Sequence, residues 1–300
     1  MAQALEADED YRVLRRFTSK VIYQEDSAVP RERLGTGIIL DTETTGKDPS
    51  VDQIVELCMV RFTFDRETGT PCEIKTVLSA LEDPGRPMDP AASRVSGITD
   101  EMVRGKRIDD ALVFECARDS EVVIAHSSSF DREVAERRFK VFESLPWGCS
   151  YSQVDWESEG ITGRKLDYLA FKLGFFYDAH RAENDCLALL EILSRPLPVS
   201  GTTGLKQILS TYGQQELRLW ATGAAYEYKG VLAARKYRWA DGTQKQEKAW
   251  HLTLPEERLS EELAWLKANV YRGVGRVVVD TVDAHCRFTK RRLGTRAITI

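Results

Sequence analysis

The fold is decided by ten residues, Gly37-Ile-Ile-Leu-Asp-Thr-Glu-Thr-Thr-Gly46. Its first four residues are apolar on both faces, which is typical of a central strand covered from both sides. Asp41 and Glu43 follow directly, and strand alternation places them on one face, about 7 Å apart. Ligands of open α/β sheets bind at the C-terminal ends of the strands. These ten residues therefore predict both a strand and a site.

The two carboxylates would repel each other unless a cation lay between them. Hard divalent cations such as Mg²⁺ and Mn²⁺ prefer carboxylate oxygen, so a metal site is one interpretation of Asp41 and Glu43. The alternative is a turn cap next to an exposed glutamate. The position directly after an apolar strand favours the metal site.

The neighbouring segments predict an α/β domain with a mixed sheet. Val60–Asp65 alternates apolar and polar residues, as a half-buried strand does, and Lys75–Leu78 would complete a three-stranded meander. Glu121–Ala125 is a second candidate for a buried strand, and helical spacing follows it three times before residue 195. Strands first, followed by β–α alternation, indicate this fold class.

The remaining segments divide the chain. Residues 1–35 are rich in charge and predict an N-terminal extension, with one amphipathic helix around Tyr11 to Phe17. Residues 196–204 are dense in Pro, Gly, Ser and Thr, which predicts a linker. The α/β domain then covers 36–195, and a smaller α+β domain covers 205–300.

Charge is distributed unevenly between these parts. The whole chain has 42 Lys and Arg against 47 Asp and Glu, a net charge of −5. Residues 201–300 hold 17 Lys and Arg and 10 Asp and Glu, so they carry +7 and the first 200 residues carry −12. The mildly acidic average therefore does not argue against nucleic acid as a partner.

Cysteine usage and hydropathy predict a cytoplasmic protein. The six cysteines have no metal-ligand spacing, so we expect reduced thiols. No stretch approaches the roughly 18 apolar residues that a membrane span needs. We expect no membrane among the partners.

Two later motifs supply further candidate side chains. Asp131 follows the second buried strand in the first turn of a helix, where an acid can also serve as a simple cap. Asp185 borders the apolar stripe of its helix, where an unpaired charge is costly. His180 is five residues earlier and can face the same site only from the preceding loop. An ordinary surface histidine is the alternative.

In order and spacing, these motifs resemble the DnaQ-like 3′–5′ exonucleases of the DEDDh class. The resemblance covers residues 36–195. It is carried by Leu40-Asp-Thr-Glu-Thr-Thr-Gly46, Ala125-His-Ser-Ser-Ser-Phe-Asp131 and His180-Arg-Ala-Glu-Asn-Asp185. Ser127 departs from the family's usual Asn after the histidine, and one substrate contact depends on that position.

The resemblance implies an RNase H-like mixed sheet flanked by helices, and phosphodiester hydrolysis with two divalent metal ions, Mg²⁺ or Mn²⁺. Asp41 would bridge both ions, Glu43 and Asp185 would ligate the ion beside the attacking water, and Asp131 would hold the other. His180 would be the general base, because the near-neutral pKa of histidine suits proton abstraction from water.

The resemblance also implies a substrate. Thr44, Thr45, His126 and Phe130 would contact the terminal nucleotide of single-stranded or frayed DNA, with DNA favoured over RNA. Proofreading or repair would be the role, and a DNA polymerase or another replication or repair protein the partner. A 3′–5′ exoribonuclease stays open, because contact with a 2′-hydroxyl depends on pocket shape. A non-catalytic nucleic-acid- or polymerase-binding module also stays open.

The C-terminal domain interleaves basic and aromatic residues over Tyr228–Trp239, and Asp241-Gly242 predicts a hairpin that pairs this run with Trp250–Leu254. Such a surface suits single-stranded nucleic acid, because phosphates meet cations and bases stack on rings. The alternative is that the rings form a small core with a solvated basic face. The candidate contacts are Lys229, Arg235, Lys236, Arg238 and Trp239.

Overall fold

The strand that carries Asp41 runs from Leu34 to Thr44 and is the middle strand of a five-stranded sheet. The structure is a computed structural model and describes residues 5, 7, 8, 10–242, 247–290 and 293–300. It divides into two units, Met1–Thr211 and Tyr212–Ile300. Within the described ranges, no helix has the length and apolar character needed to cross a membrane.

The first unit combines this sheet with helices on its faces. Its strands are β1 (Arg15–Arg16), β2 (Leu34–Thr44), β3 (Ile54–Asp65), β4 (Thr70–Leu81), β5 (Val122–Ala125), β6 (Trp147–Cys149) and β7 (Phe175–Phe176). Its helices are α1 (Pro90–Ser96), α2 (Asp100–Val103), α3 (Asp110–Ala117), α4 (Ser128–Arg138), α5 (Ser150–Gln153), α6 (Leu166–Lys172), α7 (Ala182–Ser194) and α8 (Gly204–Ser210).

The sheet has the strand order β4-β3-β2-β5-β6. β2, β3 and β4 form an antiparallel meander, whereas β5 and β6 run parallel to β2. Helix α7 packs its buried leucines into the core formed with β2 and β3. The predicted mixed sheet flanked by helices is confirmed.

The expectation of a half-buried β3 was wrong. Thr63 and Asp65, two of the three polar residues of the alternation, are buried together with the apolar ones, and Arg61 is half-buried. The segment before β2 satisfies the two buried ones, since Thr63 donates a hydrogen bond to Asp26 and Asp65 accepts one from Arg33 Nε at 3.0 Å. Both faces of β3 are therefore covered.

The predicted helix around Tyr11 to Phe17 was also wrong. This segment is extended, and β1 within it pairs in parallel with β7. The Phe17 N–H donates to Phe176 O at 2.8 Å. Pairing with another strand gives these backbone groups the hydrogen bonds that a helix would have supplied.

The expected linker at 196–204 does not coincide with the division between the units. Leu197 is buried in the core of the first unit, and so are Leu205 and Ile208 of α8. These apolar side chains anchor the Pro- and Gly-rich turn and α8 to the first unit, which ends at Thr211.

The second unit is an antiparallel sheet with helices on one face. Its elements are β8 (Glu216–Ala221), α9 (Lys229–Ala234), β9 (Arg238–Asp241), β10 (Lys248–Leu254), α10 (Leu259–Leu266), a π-helical turn (Lys267–Tyr271), β11 (Arg276–Val282) and β12 (Leu293–Thr299). The strand order is β12-β11-β8-β10-β9. The core joins Leu219 and Val277 of the sheet to Leu232 of α9 and Leu266 of α10.

The predicted hairpin pairing is confirmed, since Trp239 of β9 lies opposite Trp250 of β10. Residues 243–246 of its loop lie outside the described residues. The expectation of one strand-like run over Tyr228–Trp239 was wrong, because α9 occupies half of it and β9 begins only at Arg238. Small residues such as Ala233 and Ala234 favour this helix.

Candidate active site

The site lies where β2 extends past its parallel neighbour. The ladder between β2 and β5 ends at Ile39 and Ile124, whereas β2 continues along β3 to Thr44. Asp41 and Glu43 are therefore in a stretch that is paired on one side only, opposite Cys58 and Glu56. Both are half-buried, on the face that the sequence predicted.

Helix α7 brings a third carboxylate to this point. Asp185, in its first turn, is buried. One carboxylate oxygen from each of Asp41, Glu43 and Asp185 lies within 4.8 Å of the other two. Two donors hold Asp185: the Tyr177 hydroxyl bonds Oδ1 at 2.6 Å, and the His180 backbone N–H bonds Oδ2 at 2.8 Å.

Asp131 reaches the site from helix α4. It is buried, and Oδ1 accepts a hydrogen bond of 2.8 Å from the Thr42 hydroxyl. Thr42 points away from Asp41 and Glu43 on the alternating strand, so it ties Asp131 to the end of β2 from the other face. The Asp131 carboxylate lies outside the group of three but close enough for its charge to act on Asp41.

The four carboxylates resist ionisation together. Burial, and then the charges of Asp131, Asp185 and Glu43, raise the pKa of Asp41 well above its ordinary value. Burial raises the pKa of Glu43 to about 7, with Asp185 adding to the shift and Arg181 opposing it.

Burial also raises the pKa of Asp131 to about 7, against the lowering effect of the Thr42 hydrogen bond. The pKa of Asp185 is raised by burial, although the hydrogen bonds from Tyr177 and His180 lower it. Carboxylates this close, with raised pKa values, form the donor set that hard divalent cations bind. The residues fit the expected metal ions.

His180 lies in the loop before α7, as the sequence required. Its side chain is exposed, and its backbone adopts a left-handed conformation with φ of 69°. The hydrogen bond from its N–H to Asp185 fixes that backbone beside the carboxylates. The exposed ring is therefore tethered next to the site.

The four predicted substrate-binding residues are engaged in internal contacts to different degrees. His126 is bonded through both ring nitrogens, to Ser150 Oγ at 2.7 Å and Arg164 O at 2.8 Å. Burial lowers its pKa to about 4, so the ring is neutral. Phe130 is half-buried at the start of α4.

The two threonines are buried at the end of β2. The Thr44 hydroxyl donates to Gly46 O at 2.6 Å, and the Thr45 hydroxyl donates to Asp52 at 2.8 Å. The Thr45 N–H donates to Gln53 O at 2.9 Å. These bonds shape the turn beside the site, next to a cleft of about 580 Å³ that Thr45 and Arg86 line.

Sequence reasoning missed an ion pair behind the site. Glu56 is 2% exposed and lies opposite Glu43, and it accepts hydrogen bonds from Arg181 Nη2 at 2.6 Å and from the Ala182 N–H at 3.1 Å. Arg181 follows His180 directly, so the pair anchors the histidine's loop to β3. A single arginine inside a motif gives no sign of a partner 125 positions away. Thr42 and Tyr177 were also missed, because no sequence pattern marks their hydrogen bonds to Asp131 and Asp185.

The candidate contacts of the second unit have different environments. Trp239 is 51% exposed and packs edge-on against Trp250, and Lys236 and Arg238 are exposed. Lys229 lies over the Tyr226 ring at 4.2 Å. Arg235 is bonded to the buried Glu262 and lies over the Trp265 ring.

The mixed sheet, with carboxylates clustered at the end of its central strand, has the architecture of the RNase H-like fold class. Residues 38–193 match the family model RNase_T, described as an exonuclease. The match covers more than half of the chain, and the protein belongs to this exonuclease family. The resemblance to DnaQ-like exonucleases is thereby confirmed.

Curated relatives agree with this assignment, and a solved structure shares the fold. The DNA polymerase III PolC-type protein of Thermotoga petrophila is 27% identical over 179 residues, which are 58% of this chain and 13% of that protein. The DNA polymerase III subunit epsilon of Treponema pallidum is 29% identical over 163 residues, 51% of this chain and 73% of that protein. E. coli exonuclease I in complex with a dA16 oligonucleotide has the same fold, with a TM-score of 0.52 and 14% identity over 78% of this chain and 71% of that chain.

Proposed function

We propose that this protein is a metal-dependent 3′–5′ exonuclease of the DEDDh class that acts on single-stranded or frayed DNA. One observation carries the proposal: one oxygen from each of Asp41, Glu43 and Asp185 lies within 4.8 Å of the other two at the end of the central strand, beside the loop of His180. Membership of the exonuclease family supplies the reaction class.

Two divalent ions, Mg²⁺ or Mn²⁺, would be held by four side chains. Asp41, Glu43 and Asp185 would ligate one ion, and Asp131 with Asp41 would ligate the other. When bound, the ions supply positive charge that stabilises the attacking and leaving oxygens of the phosphodiester. The raised pKa values of these carboxyls fit this role, because the cations would offset the repulsion within the cluster.

The protein's own groups orient the reaction. The exposed His180 imidazole would accept the proton of the attacking water, held in reach by its backbone bond to Asp185. Phe130 would offer its ring to the terminal base. Thr44, Thr45 and His126 would act on the substrate side by fixing the loops that approach the nucleotide.

The names of the matched relatives support DNA as the substrate and a DNA polymerase, or another replication or repair protein, as the partner. We propose a role in proofreading or repair because these relatives are named as DNA polymerase subunits. The six free, buried cysteines support a cytoplasmic location. The exoribonuclease and the non-catalytic module are outcomes that the experiment below distinguishes.

The second unit would bind the single strand. Its net positive charge and the exposed Lys236, Arg238 and Trp239 suit phosphates and stacked bases. Lys229, which lies over the Tyr226 ring, would add a positive charge for the phosphates. Arg235 is paired with Glu262, so its contribution would come through the shape of this unit.

The test is digestion of DNA and RNA oligonucleotides labelled at the 5′ end, with Mg²⁺, Mn²⁺ or EDTA. We expect a ladder of shortened DNA products with either metal and none with EDTA. Immediate release of labelled mononucleotide would indicate the opposite polarity. Faster shortening of RNA would favour the exoribonuclease, and binding without cleavage would favour the non-catalytic module.

A further inference from the structure

Residues Arg12–Phe17, here called the strap, cross the segment that leads into the His180 loop. Arg12 Nη2 donates to the carbonyl oxygens of Phe171 and Lys172, at 2.8 and 2.7 Å, at the end of α6. Its guanidinium also lies over the Phe171 ring, 4.6 Å from the centroid. The strap is thus fixed at one end to the last turn of α6.

The other end of the strap is fixed to β7. Arg15–Arg16 pairs in parallel with Phe175–Phe176, and the Phe17 N–H bonds Phe176 O at 2.8 Å. The Phe17 and Phe175 rings are 5.5 Å apart, and Arg16 Nη1 bonds Asp178 at 2.8 Å. Backbone, ring and charge contacts therefore hold residues on both sides of Tyr177.

Tyr177 connects this region to the candidate metal ligands. Its hydroxyl donates to Asp185 Oδ1 at 2.6 Å, while the other oxygen accepts the His180 N–H. Asn184 Nδ2 bonds Asp178 O at 2.8 Å and closes the loop between them. Each Asp185 oxygen is thus oriented by one donor and keeps a lone pair for a cation.

We propose that the strap positions Asp185 and the His180 loop through Tyr177, so that an N-terminal segment outside the matched exonuclease region helps to set the affinity for the metal. The family match begins at residue 38, well after the strap. Partners behind a ligand typically change metal affinity or activity by about 10- to 100-fold when they are removed. This proposal rests on the proposed function only in assigning Asp185 to a metal.

Tyr177→Phe removes the hydroxyl and keeps the ring. We expect Mn²⁺ to bind about 10-fold more weakly in calorimetry, with kcat lowered about as much at limiting Mn²⁺ and the KM for a DNA oligonucleotide unchanged. Tyr271→Phe is the matched control, because its hydroxyl bonds Thr222 O at 2.7 Å in the second unit. The control should bind Mn²⁺ as the wild type does. Wild-type Mn²⁺ affinity in Tyr177→Phe would overturn the proposal.

The strap itself is tested with the double variant Arg12→Ala, Phe17→Ala. We expect Mn²⁺ binding to weaken about 3- to 10-fold in it, and to weaken little further when Tyr177→Phe is added, because coupled residues are not additive. Fully additive losses would show that the strap does not act through Tyr177. All titrations are done well below the melting temperature of each variant, so that unfolding does not mimic lost affinity.

Metal affinity is measured without turnover, so the two proposals can fail separately. If the wild type cleaves no oligonucleotide but Tyr177→Phe binds Mn²⁺ more weakly than the wild type does, the exonuclease proposal is refuted and the positioning role stays in place. If the wild type cleaves DNA normally and every variant keeps the wild-type Mn²⁺ affinity, the positioning role is refuted and the exonuclease proposal stays in place.

Discussion

One carboxylate site in each unit shows a different kind of burial. In the second unit, Glu262 is 1% exposed and accepts hydrogen bonds from Arg235 Nε at 2.8 and 3.0 Å and from the Tyr237 hydroxyl at 3.0 Å. In the first unit, Asp41 and Glu43 lie beside Asp185, and the described residues give their carboxylates no hydrogen bond. Glu262 is complete as folded, whereas the Asp41 cluster needs a cation.

This difference separates structural from functional burial. A buried charge with hydrogen-bond partners belongs to the fold, and removing one partner destabilises it. A cluster of like charges without partners destabilises the fold and is retained only where a ligand completes it. The two kinds of substitution should therefore have opposite effects on stability and on activity.

The largest expected effect is that of Asp41→Asn. Removing this carboxylate should lower the nuclease rate by roughly 10³-fold or more, since the cations are worth several kcal/mol to the transition state. The same change removes repulsion, so the metal-free variant should melt at a higher temperature than the metal-free wild type. Oligonucleotide digestion and thermal melts in EDTA measure both. If Asp41→Asn were less stable than the wild type and still active, the Asp41 cluster would be structural in the same way as Glu262.

His180→Ala should lower kcat by about 10²- to 10⁴-fold, the range for loss of a general base. Its side chain is exposed, and the bond that holds Asp185 comes from its backbone, so Mn²⁺ affinity should not change. Single-turnover digestion and calorimetry measure the two quantities. Loss of Mn²⁺ binding together with activity would make His180 a ligand and not a base.

Glu262→Gln should show the opposite pattern to Asp41→Asn. Removing the buried charge that pairs with Arg235 should cost about 1–3 kcal/mol of unfolding free energy. The cost stays moderate because Arg235 is partly exposed and keeps Glu261 at 3.5 Å. The digestion rate at saturating oligonucleotide and at a temperature below the transition should stay at the wild-type value. Denaturant unfolding provides the free energy. Unchanged stability would mean that the pair is not what holds α10 to α9.

The Asp41 cluster should also make stability depend on pH and metal. The folded, metal-free chain has a Glu43 pKa of about 7, well above the ordinary value of about 4, so between these values it binds a proton that the unfolded chain releases. The bound proton stabilises the folded chain. This contribution to the free energy of unfolding is fully present below pH 4 and is lost as the pH rises through 7. Glu43→Gln should therefore gain stability over the wild type, by on the order of a few kcal/mol, as the pH rises from 4 to 8.

Thermal melts of both proteins in EDTA across this range measure the gain. Saturating Mg²⁺ should reverse it at pH 8, because the cation stabilises the ionised cluster of the wild type. A difference between the two proteins that does not vary with pH would mean that Glu43 is ionised without help in the folded chain.

The smallest expected effect is that of Glu56→Gln, which loosens the ion pair behind His180. We expect kcat to fall about 10-fold, as for other groups that orient a site from behind. Glu191→Gln is the matched control, because Glu191 is also buried, lies on α7 and pairs with Arg195. Steady-state kinetics of both variants test the difference. Equal losses would assign Glu56 a structural role alone.

The same contrast explains what the sequence could predict. Asp41, Glu43 and Asp185 were found because each adjoins a run of residues with a clear apolar pattern, and alternation or helical spacing fixes its direction. The buried polar residues of β3 were not, since Asp26 and Arg33 cover them from a segment with no periodicity. The strap was taken for a helix because strand pairing with distant residues leaves no local pattern.

Residues that act through others were also out of reach. Strand alternation places Thr42 on the face opposite Asp41 and Glu43, and no sequence pattern marks Tyr177. Only their bonds to Asp131 and Asp185 show how these two residues act. Lys229 and Arg235 were grouped with Arg238 by composition, although α9 and the pair with Glu262 set them apart. Composition records which charges are present but not which of them already have partners.

The most direct test of the central claim is a calorimetric titration of Mn²⁺ into the metal-free protein at pH 8. We expect saturable binding of two ions per chain, and we expect Asp41→Asn but not Glu262→Gln to lose it. The absence of saturable binding, or equal binding by Asp41→Asn, would contradict the claim that the unpartnered carboxylates at the end of β2 form a metal site.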